Sequence, residues 1–117
     1  MEINITNWLT QIKKGYLDLC ILALIESDGR AYGFQIISEL EELKLTIKEG
    51  TLYPLLSRMT KDGFLTSAWE TEGVKGHPRK FYSLTELGRS SLNEMKLEYK
   101  NMYKSFEKIK KRGGSNE

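Results

Sequence analysis

Cysteine and histidine occur once each in this chain, as Cys20 and His77, and proline only twice, as Pro54 and Pro78. One thiol cannot close an internal disulfide, which suits a reducing compartment. Its place in the apolar run Leu19 to Ile25 reads as a buried structural thiol, with redox sensing as the alternative. A lone histidine with no cysteine or aspartate cluster beside it argues against a metal site, and no cofactor is expected. No apolar run approaches the roughly 18 residues that span a membrane. The N-terminus also lacks a signal peptide's charged-then-apolar order, so a cytoplasmic protein without membrane contact is expected. No nucleophile, base and orienting group recur at workable spacing, and no glycine-rich phosphate loop follows a strand, so no enzyme is expected. A strong charge of one sign is missing too. The formal net charge is +2, too small to announce a nucleic-acid partner, so any such reading rests on where the charges lie.

They lie unevenly. Between Gly73 and Lys80 stand Lys75, Arg79 and Lys80 with no acid, whereas Glu39, Glu41 and Glu42 crowd one segment upstream. Near the C-terminal end Leu92, Met95, Tyr99, Met102, Phe106 and Ile109 recur at alternating spacings of three and four, the seam of a heptad repeat. A chain of 117 residues suits one domain, and its core would leave such a stripe uncovered, so pairing with a second copy is the natural remedy.

The chain predicts a mainly α fold with a small antiparallel hairpin, a winged helix-turn-helix followed by a long helix. Residues 1 to 27 carry a helical pattern that becomes apolar on nearly every side, as befits a central helix. Gly15 leaves open whether this is one helix or two, and Asp28, Gly29 and Arg30 end it as a turn. Tyr32 to Leu43 reads as a second helix with Ile36, Ile37, Leu40 and Leu43 inward and Gln35, Ser38, Glu39, Glu41 and Glu42 outward. A third helix begins near Lys48, with Thr46 and Glu49 as a capping box or with a start two residues later. It buries Leu52, Leu55, Leu56 and Met59, bends at Pro54 and closes on the left-handed Gly63. Phe64 to Trp69 and Lys80 to Leu84 alternate as the strands of a wing whose tip holds Gly73, Gly76 and Pro78. Thr85 caps a last helix running to about Lys111. The expected division is residues 1–85 as the DNA-binding domain, 86–112 as the dimerisation helix and 113–117 as a disordered tail.

Helix, turn, helix and hairpin in this order can place a short helix in a major groove about 12 Å wide with a hairpin along the adjacent backbone. Thr51, Tyr53 and Ser57 can donate to phosphates or touch base edges. Lys48, Lys61, Lys75, Arg79 and Lys80 can neutralise phosphates, and the N-terminal end of the second helix, at Tyr32, can approach the backbone. Pro54, Gly76 and His77 complete the candidate surface, His77 beside a phosphate or in solvent. Arg58 reads bases or faces the flank of its helix. Trp69 is expected to pack at the wing base. The basic run Lys104, Lys108, Lys110, Lys111 and Arg112 either touches DNA or stabilises the helix dipole.

Gly50, Thr51, Leu52, Tyr53, Pro54 and Leu55, then Arg58, Gly63, Trp69, Gly76, Arg79, Lys80, Tyr82, Leu84, Thr85 and Gly88, resemble the signature of PadR-like transcriptional regulators. Tyr32 and Gly33 look like the pair opening that family's second helix, and Gly15 like the glycine its first helix commonly carries. The resemblance covers roughly residues 12 to 92, and Lys48 and Glu49 stand where many members have serine and proline. It implies a bacterial homodimeric repressor of the compact branch, with one winged helix per chain and a single C-terminal dimerisation helix. Members commonly control detoxification, phenolic-acid or efflux genes, and some are released by a small aromatic effector.

Two-fold symmetry would set the recognition helices about 34 Å apart on an inverted-repeat operator. An effector slot between first and last helices would be lined by Trp8, Met95, Tyr99 and Met102, the alternative being that these four are simply core. The competing reading of the whole is a winged helix used for protein contacts without sequence-specific DNA binding.

Overall fold

The computed structural model describes residues 1–71 and 77–114. A long helix, α1 (Thr6–Asp28), starts on an Asx turn in which Asn4 Oδ1 accepts the Thr6 N–H at 3.0 Å. It runs through Gly15 without a break, which decides between one helix and two. Ile21, Leu22 and Ile25 on its C-terminal half are fully buried, so this helix forms the centre on which the other elements pack.

Ala31 and Tyr32 then form a short strand, β1, which the sequence did not announce. It leads into α2 (Gly33–Glu42), where the Tyr32 N–H donates to Gln35 Oε1 at 3.4 Å while Gln35 Nε2 donates to Asp28 Oδ2 at 3.1 Å. Ile36 and Leu40 of α2 are buried and Ile37 half-buried, as the helical period requires, but Leu43 and Glu39 depart from expectation. Leu43 ends the helix as its C-cap and is exposed. The chain turns there through Lys44, at φ 62°, and Ile47 rather than Leu43 supplies the buried side chain of the link. Glu39 is half-buried rather than outward.

Helix α3 (Glu49–Lys61) takes the later of the two starts. Lys48 is its N-cap, with no side-chain capping bond, and the Thr46–Glu49 box does not form. Leu52, Leu56 and Met59 are buried and Leu55 half-buried, and Gly63 follows at φ 86°, in the left-handed region. Strands β2 (Leu65–Glu70) and β3 (Arg79–Leu84) pair antiparallel from Leu65↔Leu84 to Glu70↔Arg79, and β1 adds to the other edge of β3 through Ala31↔Tyr82 and Tyr32↔Phe81. The sheet order is therefore β1-β3-β2. Alternation puts Ala31, Leu65, Tyr82 and Leu84 on the face turned to the helices, where all four are buried.

The last helix, α4 (Glu86–Gly114), is fastened at its first turn. Thr85 Oγ1 accepts the Gly88 N–H at 2.9 Å and itself donates to the Gly63 carbonyl at 2.6 Å, so one hydroxyl caps α4 and ties it to the end of α3. Gly113 and Gly114 belong to α4 rather than to a tail, and residues 115–117 lie outside the described residues. Leu92 completes the core, while Lys96 pairs with Glu26 at 3.1 Å and Tyr99 meets Tyr16 at 5.9 Å between ring centres. The heptad assignment of Leu92 to a seam between chains is thereby corrected. With no exposed surface left, Leu92 belongs to the core of its own chain, and Met95 is half-buried against it. The apolar stripe open to a second chain begins at Tyr99.

Candidate nucleic-acid interface

Helix α3 has three sides. Its core side carries Leu52, Leu56 and Met59, and each flank is fastened to a different helix. On one flank Tyr53, 40% exposed, lies over Gly33, where any β-carbon would run into the phenol ring. Burial there, and to a smaller extent the charge of Glu49, push the Tyr53 hydroxyl above its ordinary pKa. On the other flank Arg58 Nη2 lies 2.8 Å from both carboxylate oxygens of Asp18 on α1, and Nη1 lies 3.7 Å from Asp62 Oδ2. The hydrogen bond to Asp18 raises the Arg58 pKa further, so the guanidinium is firmly charged. In the chain alone Arg58 therefore lies along the flank of its helix.

What remains outward is Gly50, Pro54, Ser57 and Lys61, which fall on one face by helical period and are all exposed. Pro54 has no N–H to give the Gly50 carbonyl, and Gly50 has no side chain, so this face is low and its backbone accessible. Thr51 is exposed on the flank toward α1, and Lys48 is exposed at the N-cap. Low relief with a hydroxyl and cations suits close approach to a polyanion better than it suits an apolar partner.

The strands contribute a second set of cations. Tyr32 and Phe81, paired across β1 and β3, meet edge to face at 5.3 Å on the outer side of the sheet. Arg79 stacks on Tyr32 at 4.4 Å, and Arg30 stacks on Phe81 at 3.9 Å while pairing with Glu70 at 2.6 Å. Arg30 was legible only as part of a turn, because nothing local reveals the β1 pairing that brings it here. Lys80, one residue along β3 and so on the other face, lies 5.8 Å from the Trp69 ring. Trp69 is exposed at this outer end of the sheet rather than packed at the wing base, since the core stops at Leu65 and Tyr82. His77 is exposed, and Lys75 and Gly76 lie outside the described residues.

The candidate effector residues do not converge within one chain. Tyr99 faces Tyr16, and Met95 packs on the core, whereas Trp8 and Met102 are largely exposed. Cys20 is half-buried beside Tyr16. Burial raises its pKa, against a smaller lowering by the Tyr16 hydroxyl, which leaves little thiolate at neutral pH. No group of His, Cys, Asp and Glu suited to hold a metal occurs among the described residues, and no described helix is long and apolar enough to cross a membrane.

A helix fastened beneath a wing, continued by a long C-terminal helix, defines a winged-helix protein, and comparison with known proteins narrows the class. The model of the transcriptional regulator PadR-like family matches residues 21–94, and the chain belongs to that family. Its members are transcriptional regulators, not enzymes. A PadR-like transcription factor from Bacteroides fragilis superimposes with a TM-score of 0.75 at 40% identity, covering 88% of this chain and 98% of that one. Bacillus subtilis PadR, solved in complex with operator DNA, superimposes at 0.61 with 30% identity, over 68% of this chain and 47% of that one. A transcriptional regulator of Mycobacterium tuberculosis is 37% identical over 68 residues, 58% of this chain and 62% of its own length.

Proposed function

We propose that the chain is a homodimeric repressor acting in the cytoplasm on an inverted-repeat operator, with residues 1–85 binding DNA and α4 joining the protomers. The carrying observation is the outward face of α3, where Gly50, Pro54, Ser57 and Lys61 stand clear between two fastened flanks. Arg79 and Lys80 add cations from the wing strand β3. Base edges are read from the outward face and from Thr51. Phosphates are met by Lys48, Lys61, Arg79 and Lys80, by Tyr32 and Tyr53, and by Lys75, Gly76 and His77 of the wing. Pro54 keeps the helix start low enough for close approach. Operator binding by Bacillus subtilis PadR supports this reading by analogy at 30% identity.

The stripe of Tyr99, Met102, Tyr103, Phe106 and Ile109, all exposed in one chain, supports a seam between two copies. A small aromatic effector would sit at that interface near Trp8, Met95, Tyr99 and Met102. It would act by differential affinity for two tilts of the protomers, and the regulated genes would serve detoxification, efflux or phenolic-acid response. The experiment is selection of genomic fragments by the purified protein at moderate salt, followed by sequencing. An inverted repeat upstream of a few genes is the expected result. Retention of no sequence above background overturns the reading and favours a protein-contact role for the winged helix. Salt separates the two independently, because release of counterions makes duplex binding fall steeply as salt rises.

A further inference from the structure

Asp18 lies on α1, forty positions from Arg58 in sequence, and its carboxylate takes the Arg58 guanidinium at 2.8 Å through both oxygens. The carboxylate is well anchored. Its helix is locked into the core by Ile21, Leu22 and Ile25 just beyond it, and its side chain is only 21% exposed. Arg58 is thus held on the flank of α3 opposite to the one that Tyr53 fixes on Gly33. Two supports on opposite flanks determine how far α3 can roll about its own axis. A roll of about 10° moves a side-chain tip, about 6 Å from the axis, by about 1 Å, enough to take a hydrogen bond out of its working range.

We propose that Asp18 and Arg58 are a positioning pair that sets the roll of α3, so that Asp18, on a different helix from the reading face, governs discrimination between operator and unrelated DNA. The proposal rests on the operator-binding reading above. It differs from a direct role for Arg58, in which the guanidinium leaves Asp18 to contact a base or phosphate. It also differs from a purely structural ion pair, since a half-exposed pair contributes little to stability. The two roles of Arg58 give opposite results when Asp18 is removed. A direct reader is freed by the loss of Asp18, whereas a strut fails equally from either end.

The test measures fluorescence anisotropy of the selected operator, and of an unrelated duplex of equal length, across a salt series. The proteins are the full chain and its Asp18→Ala, Arg58→Ala and doubly substituted variants. Each single variant is expected to lose about tenfold in operator affinity, the size of one mispaired base contact. The double variant should be no weaker than either single one. Binding to the unrelated duplex, which depends on phosphates, should stay within about twofold with an unchanged salt slope. Undiminished operator binding by Asp18→Ala, with a loss in Arg58→Ala and a salt slope lower by about one phosphate, overturns the proposal in favour of direct contact. A lower melting midpoint with unchanged discrimination also overturns it, leaving a structural pair. Should Asp18→Ala prove poorly folded by circular dichroism, Asp18→Leu, which is of similar shape and accepts no hydrogen bond, takes its place with the same expected loss. Failure of the unsubstituted protein to prefer the operator would instead strike the functional reading itself, and the proposal with it.

Discussion

A methyl group on Gly88 would run into the backbone carbonyl of Phe64, because the first turn of α4 lies directly on the chain leaving α3. Backbone cannot swing aside as a side chain can, so Gly88→Ala is expected to lower stability by about 2 kcal/mol or more in urea denaturation. An unchanged midpoint would mean that the entry into α4 can shift. Glu39 makes the complementary case of a half-buried acid. One of its carboxylate oxygens is sealed from solvent and has no hydrogen-bond partner among the described residues. Burial first, and then Asp28 beside it, raise its pKa above the ordinary carboxylate value. The folded state therefore holds the Glu39 proton more tightly than the unfolded chain does. Its contribution to stability is present below the ordinary carboxylate pKa and is lost as pH rises through the folded value. Glu39→Gln should melt above the parent protein at neutral pH, with the difference vanishing in acid. A difference that grows toward acid would reverse the sign and reject the account. From the sequence Glu39 reads as solvated, since a glutamate among glutamates on a helix gives no hint that Asp28 will be folded back beside it.

At the scale of elements, periodicity and turn chemistry carry most of the fold. The inner faces of α2 and α3, the left-handed Gly63, the Thr85 cap and the two wing strands all lie close to their expected places. Strand β1 was not legible, because two residues have no period and their partners Tyr82 and Phe81 are remote in sequence. Nor was the turn at Lys44, which takes φ 62° with neither glycine nor asparagine to mark it. The site divides the same way. The outward placing of Ser57 and Lys61 follows from the period of α3, but the helical wheel cannot tell whether a flanking Tyr53 or Arg58 points to solvent or to a neighbour. That depends on where Gly33 and Asp18 arrive. Helix α1 offers a prediction at this scale. Gly15 is exposed within an unbroken helix, and a β-carbon there would meet nothing within 4 Å in its own chain. Gly15→Ala should therefore raise stability by about 0.5–1 kcal/mol through helix propensity alone. A loss measured at fixed protein concentration would show that a second chain approaches α1 at this point.

For the whole molecule the decisive question is what covers α4. A heptad stripe shows that a helix has an apolar side and says nothing about which chain occupies it, which is why Leu92 fits the repeat yet belongs to its own core. Beyond Tyr99 the helix leaves that core, and Met102, Tyr103, Phe106 and Ile109 are each more than half exposed. Phe106 is the informative position. It is 55% exposed, its neighbours Tyr103 and Lys110 belong to the same helix, and it makes no part of the buried cluster. In an isolated chain Phe106→Asp would thus exchange one surface residue for another at little cost to folding. In a dimer joined along this stripe it would bury a charge without a partner, and the dimer dissociation constant should rise by about 100-fold or more. Analytical ultracentrifugation across a concentration series separates the two situations. A dimer for the parent protein and a monomer of unchanged melting behaviour for Phe106→Asp would place the seam below Tyr99. The parent mass retained in the variant would move the interface elsewhere, and the exposed Ile5, just before α1, with Trp8 and Ile12 on it, would then be the next apolar surface to substitute.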